Sequence, residues 1–182
     1  TIPKIKIENV VASATVNQRI DLIEITKKFT HVVYNPKQFP GLVFRIKDPK
    51  TAILIFSSGK MVCTGGKSEK MAKIAINSVV SNLKENEIKI ENSAIITIQN
   101  IVASVDLGGK IDLEEAARQL SNSMYEPEQF PGLIYRMKKP KTVILIFSSG
   151  KLVCTGAKIE SQVKNAVNNL HNLLEKKNLM LY

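Results

Sequence analysis

The sequence predicts an α+β fold made of two similar halves. Three features support this prediction: a repeat with a constant offset of 91 residues, short alternating apolar segments typical of strands, and a long amphipathic segment that closes each half. The 182 residues therefore divide into a first repeat, residues 1–91, and a second repeat, residues 92–182. Hydrophobic residues make up 44% of the chain, which is enough for a packed core.

Long identical strings carry the repeat. Gln-Phe-Pro-Gly-Leu occupies residues 38–42 and returns at residues 129–133. Ile-Leu-Ile-Phe-Ser-Ser-Gly-Lys occupies residues 53–60 and returns at residues 144–151. The offset never changes, so no insertion or deletion separates the copies. Because two copies are too few for a solenoid, we expect two similar lobes around an internal pseudo-twofold axis.

Each half has the same order of predicted elements. Residues 5–11 alternate apolar and polar side chains, as a strand does. Asp21 and Asp112 each stand three residues before a Glu, which predicts the start of a short helix. The elements that follow, given for the first and then the second copy, are Pro-Gly turns at 40–41 and 131–132, strands at 52–56 and 143–147, and returning strands at 61–64 and 152–155. In the second copy the apolar stripe of the long helix is Val163, Ala166, Val167, Leu170, Leu173 and Leu174.

One face of the predicted sheet has no partner in this pattern. If both helices of a half lie on one side, the other side stays open and apolar, which on a soluble protein usually marks a binding surface. The alternative is that the open faces of the two halves pack together as a sandwich. The pairs that share a side, and that would line the open face, are Asn9 with Val11, Leu54 with Phe56, and Val62 with Thr64. Cys63 and Cys154 would then point toward the helices, as buried thiols rather than a disulfide.

Composition narrows the function classes. Lys and Arg number 26 against 16 Asp and Glu, and the net charge of +10 indicates an anionic partner. The sequence contains no stretch of about 18 apolar residues, so it predicts no membrane span. Residues 1–4 do not resemble the start of a signal peptide. We therefore expect an intracellular protein.

Chemistry-bearing side chains are few. His31 and His171 are not repeated, and no metal-ligand, nucleophile–base or phosphate-loop pattern is present, so we expect no enzyme activity, cofactor or metal. Asp21 and Asp112, each with the Glu that follows it, resemble acid pairs, but helix starts explain them. An enzyme and a protein- or lipid-binding module remain the alternatives to a nucleic-acid-binding protein.

The doubled strings closely resemble the core of the TATA-box-binding protein family, in register over residues 4–177. The resemblance implies a saddle, in which a curved antiparallel sheet of ten strands carries helices on its convex side. It also implies a general transcription initiation factor that bends double-stranded TATA-box DNA from the minor groove. The absence of a long segment before the first repeat favours an archaeal member. The expected location is then the archaeal cytoplasm or nucleoid, or the nucleus if the source is eukaryotic.

The resemblance assigns roles to residues that occur in both copies. The phenylalanines that wedge between base steps match Phe39, Phe56, Phe130 and Phe147. The residues at base edges match Asn9, Asn100, Thr64, Thr155, Val11, Val102, Val62, Val153, Leu54 and Leu145. The phosphate contacts match Arg45, Arg136, Lys60, Lys151, Ser58 and Ser149.

The two copies differ in the loop that precedes the first wedge of each. Residues 34–37 read Tyr-Asn-Pro-Lys, whereas residues 125–128 read Tyr-Glu-Pro-Glu. By resemblance, Glu126 and Glu128 match positions that bind transcription factor B (TFIIB-like), which leads to the RNA polymerase pre-initiation complex. The family often has Leu where Gln129 stands, so the apolar part of that contact differs here. A charge difference of this kind would let a pseudo-symmetric protein orient an assembly.

Overall fold

The computed structural model describes residues 2–182 and has the predicted α+β composition. The first copy contains β1 (Lys4–Thr15), α1 (Leu22–Lys28), β2 (Leu42–Lys47), β3 (Lys50–Ile55), β4 (Lys60–Gly66) and α2 (Glu69–Glu85). The second copy contains β5 (Ile95–Asp106), β6 (Lys110–Ile111), α3 (Leu113–Gln119), β7 (Ser123–Met124), β8 (Leu133–Lys138), β9 (Lys141–Ile146), β10 (Lys151–Ala157), α4 (Glu160–Lys176) and β11 (Met180–Leu181). The six elements of the first copy thus recur in the same order in the second copy, as the sequence predicts, and the second copy adds the short strands β6, β7 and β11.

The chain forms two compact units whose boundary falls inside strands. The first unit is Asn9–Gln99, and the second unit is residues 2–8 together with Asn100–Tyr182. Both β1 and β5 therefore contribute one part of their length to each unit. Side chains follow the same division: Gln99 bonds to Ser13 in the first unit, and Ser104 bonds to Glu8 in the second.

Over residues 2–182, nine strands follow one another in the order β2-β3-β4-β1-β5-β10-β9-β8-β7, and β6 pairs with β11. The resemblance implied ten strands. The missing strand is the first-copy counterpart of β7, where a single bridge joins Val33 to Val43. In the second copy Ser123 pairs with Tyr135. At the position that matches Tyr135, the Phe44 ring instead contacts the rings of His31 and Phe29, at centroid distances of 4.9 and 5.1 Å.

The predicted helix starts are confirmed. The Asp21 carboxylate accepts hydrogen bonds from the backbone N–H groups of Ile23 and Glu24, at 3.0 and 3.2 Å. Asp112 accepts from the N–H of Glu115 at 3.1 Å. An N-cap carboxylate satisfies backbone donors that have no partner inside the helix, so it fixes where the helix begins.

A core lies between the sheet and the long helix of each unit. In the first unit α2 packs on β3 and β4, and in the second α4 packs on β10. The largest fully buried side chains include Ile53, Ile55, Met61 and Ile76 of the first unit and Ile144, Ile146 and Leu133 of the second. Burying one such side chain stabilises the fold by about 1.5–3 kcal/mol.

The stripe predicted for α4 is correct except at one position. Val163, Ala166, Val167, Leu170 and Leu174 are buried, but Leu173 is only half-buried. His171 is buried instead, with 8% of its surface exposed, and its ring reaches Glu175 one turn further on. Within residues 2–182, no helix is both long and apolar enough to cross a membrane.

Candidate nucleic-acid interface

The strands of each unit have one buried face and one half-exposed face. Along β4, Met61 and Cys63 are fully buried, whereas Val62 and Thr64 between them stay partly accessible. Along β10 the same alternation separates Leu152 and Cys154 from Val153 and Thr155. The face away from the long helix is thus partly accessible in each unit, as expected.

Strand register brings the predicted base-edge residues together on this face. In the first unit Leu54 lies opposite Val62, and Val62 lies opposite Ser13 on its other side. In the second unit Leu145 lies opposite Val153, and Val153 lies opposite Ser104. The remaining half-buried members of the set are Asn9, Val11 and Thr64 in the first unit and Asn100, Val102 and Thr155 in the second.

A β-bulge orients Asn9 on the open face. Val10 pairs with Gly66 but Ala12 pairs with Cys63, so two residues of β4 lie opposite one residue of β1. Gly65, in the bulge, has a φ of 98°, a conformation that residues with a side chain rarely adopt. This conformation lets the Gly65 N–H donate to Oδ1 of Asn9 at 2.7 Å.

That hydrogen bond decides which end of the Asn9 amide faces outward. A backbone N–H can only donate, so the atom it contacts must be the carbonyl oxygen of the side chain. The Asn9 NH₂ group then donates to Oγ1 of Thr64 at 3.1 Å, and it carries a second hydrogen beyond that bond. The same arrangement occurs in the second unit, where Asn100 accepts from Gly156 at 2.7 Å and donates to Thr155 at 3.0 Å.

Paired phenylalanine rings lie at one end of the open face in each unit. The rings of Phe39 and Phe56 are 5.9 Å apart and inclined by 65°, and those of Phe130 and Phe147 have the same separation and angle. Phe39 is 41% exposed, which is unusual for a large apolar side chain. Both pairs are thus available to a ligand.

A glycine beside each pair leaves room for the rings. A Cβ added to Gly41 would lie 2.6 Å from the Phe39 ring and 3.0 Å from the Phe56 ring. At Gly132 the corresponding distances to Phe130 and Phe147 are 2.7 and 2.9 Å. Any side chain here would displace the rings, so the Pro-Gly turn sets the geometry of the pair.

The predicted phosphate contacts are exposed at the margins of the open face. Arg45 lines a cleft with Ala52 and Thr64, and Arg136 lines a matching cleft with Val143 and Gly156. The cationic or hydroxyl side chains at the β3–β4 and β9–β10 turns are Ser58, Lys60, Ser149 and Lys151. Each Ser hydroxyl accepts from the N–H of the Lys two residues later, at 3.4 Å.

The loops before Phe39 and Phe130 have the same backbone turn. The N–H of Phe39 bonds to the carbonyl of Asn35, and that of Phe130 bonds to the carbonyl of Glu126, both at 3.0 Å. Glu126 and Glu128 are exposed on their loop, as is Lys37 on the matching one. The copies therefore differ here in charge and not in backbone conformation.

The cysteines lie on the helix-facing side. Cys63 and Cys154 are fully buried free thiols, and burial raises the pKa of each from 9.0 to about 11. Such thiols are poor nucleophiles at neutral pH. In the described part of the chain, no three His, Cys, Asp or Glu side chains are grouped so that they could hold a metal ion.

Sequence reasoning missed the part played by Gly65 and Gly156. The signal was present, because a glycine inside a strand pattern often marks a bulge or a close backbone approach. The sequence predicts that Asn9 and Thr64 share a face. The donor that orients the Asn9 amide is a backbone group, however, and no side-chain motif reveals it.

Comparison with known proteins shows which family this chain resembles. The family model described as Transcription factor TFIID (or TATA-binding protein, TBP) matches residues 4–86 and 95–177. The chain is 53% identical over 174 residues to the TATA-box-binding protein of Pyrodictium occultum, covering 96% of this chain and 87% of that protein. It is 50% identical over 176 residues to the TATA-box-binding protein of Methanobrevibacter smithii, covering 97% of each chain. The solved structure of Methanococcus jannaschii TBP matches with a TM-score of 0.86 at 46% identity, covering 95% of this chain and 99% of that one.

Proposed function

The chain belongs to the TATA-box-binding protein family, and we propose that it is a general transcription initiation factor that binds the minor groove of TATA-box DNA. This is a family of DNA-binding transcription factors and not of enzymes. The observation that carries the proposal is the pair of oriented amides, Asn9 and Asn100, each set in an apolar open face.

Minor-groove chemistry fits this arrangement. An A·T pair presents only acceptors there, adenine N3 and thymine O2, whereas a G·C pair adds the donor group of guanine N2. The NH₂ groups of Asn9 and Asn100 are donors that face outward because their oxygens are held by Gly65 and Gly156. The apolar residues around them, Val11, Leu54, Val62, Val102, Leu145 and Val153, offer no acceptor to a guanine amino group, so A·T pairs are favoured.

The phenylalanine pairs are suited to bend the duplex. A partly exposed ring inserted between base pairs unstacks one step, which costs about a few kcal/mol and is offset by the added contact of bent DNA. Pyrimidine–purine steps, such as T followed by A on one strand, unstack most easily, so a TATA element lowers the free-energy cost of inserting a ring. We propose that Phe39 with Phe56, and Phe130 with Phe147, are these wedges.

Cations at the margins supply the non-specific part of binding. Arg45, Lys60, Arg136 and Lys151 are exposed beside the open faces, and Ser58 and Ser149 stand at the neighbouring turns. Neutralising phosphates releases counterions, so affinity falls steeply with salt. We assign these six residues to the DNA backbone.

Assembly orientation is the second part of the proposal. Glu126 and Glu128 are exposed on the loop before Phe130. The matching loop of the first copy carries Lys37, and both loops have the same backbone hydrogen bonds. We propose that this acidic loop binds a basic surface of transcription factor B, which in turn recruits RNA polymerase. Charge complementarity of this kind fixes which partner surface is accepted.

Selective binding tests the proposed function. A labelled TATA duplex and a G·C-rich duplex of equal length are titrated with the full chain at one salt concentration, with fluorescence anisotropy as the readout. We expect binding to the TATA duplex to be at least about 10³-fold tighter, the lower range for specific over non-specific binding. Equal affinity for both duplexes would contradict the proposal.

A further inference from the structure

Each turn that carries a wedge phenylalanine rests on a neighbouring backbone segment. In the first unit, Ile20 donates to the carbonyl of Ser57 at 2.9 Å, next to Phe56. In the second unit, Ile111 donates to the carbonyl of Ser148 at 3.0 Å, next to Phe147. We call residues 16–20 and 107–111 the backing segments of the two turns.

The contact between turn and backing segment is tight. Gly59 and Gly150, in the two turns, have φ values of 92° and 89°. A Cβ on Gly59 would lie 2.0 Å from the carbonyl oxygen of Gln18, and one on Gly150 would lie 1.8 Å from that of Gly109. The backbones therefore touch, so a shift of the backing segment must move the turn and its phenylalanine.

In the first unit two side chains hold the backing segment, and Gln18 makes most of the contact. The Gln18 amide donates to the carbonyl of Lys89 at 2.7 Å and accepts from the N–H of Glu91 at 2.8 Å. The Asn92 side chain adds a bond to the carbonyl of Val16 at 3.0 Å. Gln18 thus clamps its segment to residues 89–92, which follow α2.

In the second unit Gly109 stands at the position of Gln18, so no such clamp is possible. Met180 and Leu181 instead pair with Ile111 and Lys110 as the two-stranded sheet of β11 and β6. Leu179 is fully buried, and its carbonyl accepts from the N–H of Asp112 at 3.1 Å.

The ring of Tyr182 completes this second support. It covers Gly109, where an added Cβ would lie 2.6 Å from the ring. The Tyr182 hydroxyl donates to the carboxylate of Glu175 on α4. The end of the described chain therefore takes the place that the Gln18 amide has in the first unit.

We propose that Gln18 and the segment Leu179–Tyr182 are positioning supports, each of which sets how far one phenylalanine pair unstacks DNA. The inference rests on the proposed function and deepens it. Because the two supports are chemically different and belong to different units, weakening one should affect only its own end of the bound DNA.

A local fluorescence measurement tests this. Two TATA duplexes carry, at one or the other wedge step, a fluorescent thymine analogue that brightens when unstacked and whose substituent, at C5, lies in the major groove and leaves the minor groove unchanged. Binding of Phe147→Ala to each duplex identifies the step that belongs to the second unit, because that step loses its fluorescence gain. The test variants are Gln18→Ala, Tyr182→Ala and a deletion of residues 180–182, with circular dichroism to confirm folding; Tyr182→Phe retains the ring on Gly109 and is the rescue control.

We expect Gln18→Ala to lower the fluorescence gain only at the first-unit step. Tyr182→Ala and the deletion should lower it only at the second-unit step, and Tyr182→Phe should restore most of it. Unchanged gains in all variants, or equal losses at both steps, would overturn the inference while leaving the proposed function intact. No gain with the wild-type chain at either step would contradict the proposed wedge function itself.

Discussion

The backbone N–H of Gly65 donates to Oδ1 of Asn9 at 2.7 Å, and Gly156 makes the same bond to Asn100. The acceptor end of each amide is thereby satisfied inside the protein, and the donor end is directed to the open face. A donor fixed before binding costs little conformational entropy when it meets an acceptor. The two bulges therefore prepare the chain for a ligand that presents acceptors.

Replacing Asn9 by Asp should weaken TATA binding. An aspartate can still accept from Gly65 and Thr64, so the fold should be kept, but it sets an acceptor against the acceptors of the groove. We expect a loss of about 1–3 kcal/mol, or roughly 5–150-fold in Kd, by anisotropy titration. Asn77→Asp, on the exposed face of α2, makes the same change of charge away from the site and serves as control. Equal affinity of the two variants would rule out the donor role of Asn9.

The open face was largely predictable from sequence, because alternation alone separates Val62 and Thr64 from Cys63. Helix starts were predictable as well, since Asp21 and Asp112 act through local hydrogen bonds. Tertiary contacts were not. The β7 counterpart is a single bridge, and beside it the Phe44 ring packs on Phe29 and His31, a contact that only the folded chain brings together.

The supports behind the wedge turns were also hidden in the sequence. Gln18 and Gly109 occupy matching positions, and a Gln-to-Gly difference suggests surface variation. Its meaning depends on Tyr182, which is 73 positions away from Gly109 in the chain and covers it only in the folded unit. Aligning the two copies position by position reveals the difference between Gln18 and Gly109, but it does not reveal that Tyr182 compensates for it.

Removing the Phe147 ring should reduce DNA bending with little effect on folding. The side chain is half-exposed, and its contact with the Phe130 ring contributes about 0.5–1.5 kcal/mol. We expect Phe147→Ala to give a longer end-to-end distance by fluorescence transfer on a doubly labelled TATA duplex. Phe147→Leu, which retains an apolar wedge, should bend more than the alanine variant. Wild-type bending by Phe147→Ala would count against the wedge role.

Reversing the charge of the acidic loop should block recruitment of transcription factor B. We expect Glu126→Lys with Glu128→Lys to bind TATA DNA but to lose most of the ternary complex in a gel-shift assay with a factor B protein from an archaeon. Lys37→Glu alters the matching loop of the first copy and should recruit normally. If the double variant recruits as well as wild type, Glu126 and Glu128 do not orient the assembly.

Burial of the two thiols should make the free energy of unfolding decrease as the pH rises above about 9. Each folded-state thiol has its pKa raised from 9.0 to about 11, so unfolding releases almost no extra protons until the pH approaches 9. Between pH 9 and 11 the unfolded chain ionises and the folded chain does not, and stability falls by about 1.4 kcal/mol per pH unit for each thiol at most. We expect urea unfolding of wild type to show this loss and a Cys63→Ala, Cys154→Ala variant to show less. Parallel pH curves for the two proteins would exclude the thiols as its source.

Binding to a duplex with altered bases tests minor-groove recognition most directly. An inosine·cytosine pair has the minor groove of A·T, without the guanine amino group, and the major groove of G·C. Competition is measured among TATA, inosine-substituted and G·C duplexes of one length, at one salt concentration. If the oriented Asn9 and Asn100 amides contact the minor groove, the inosine duplex should compete nearly as well as TATA, and the G·C duplex should compete poorly. An inosine duplex that competed no better than G·C would contradict the account.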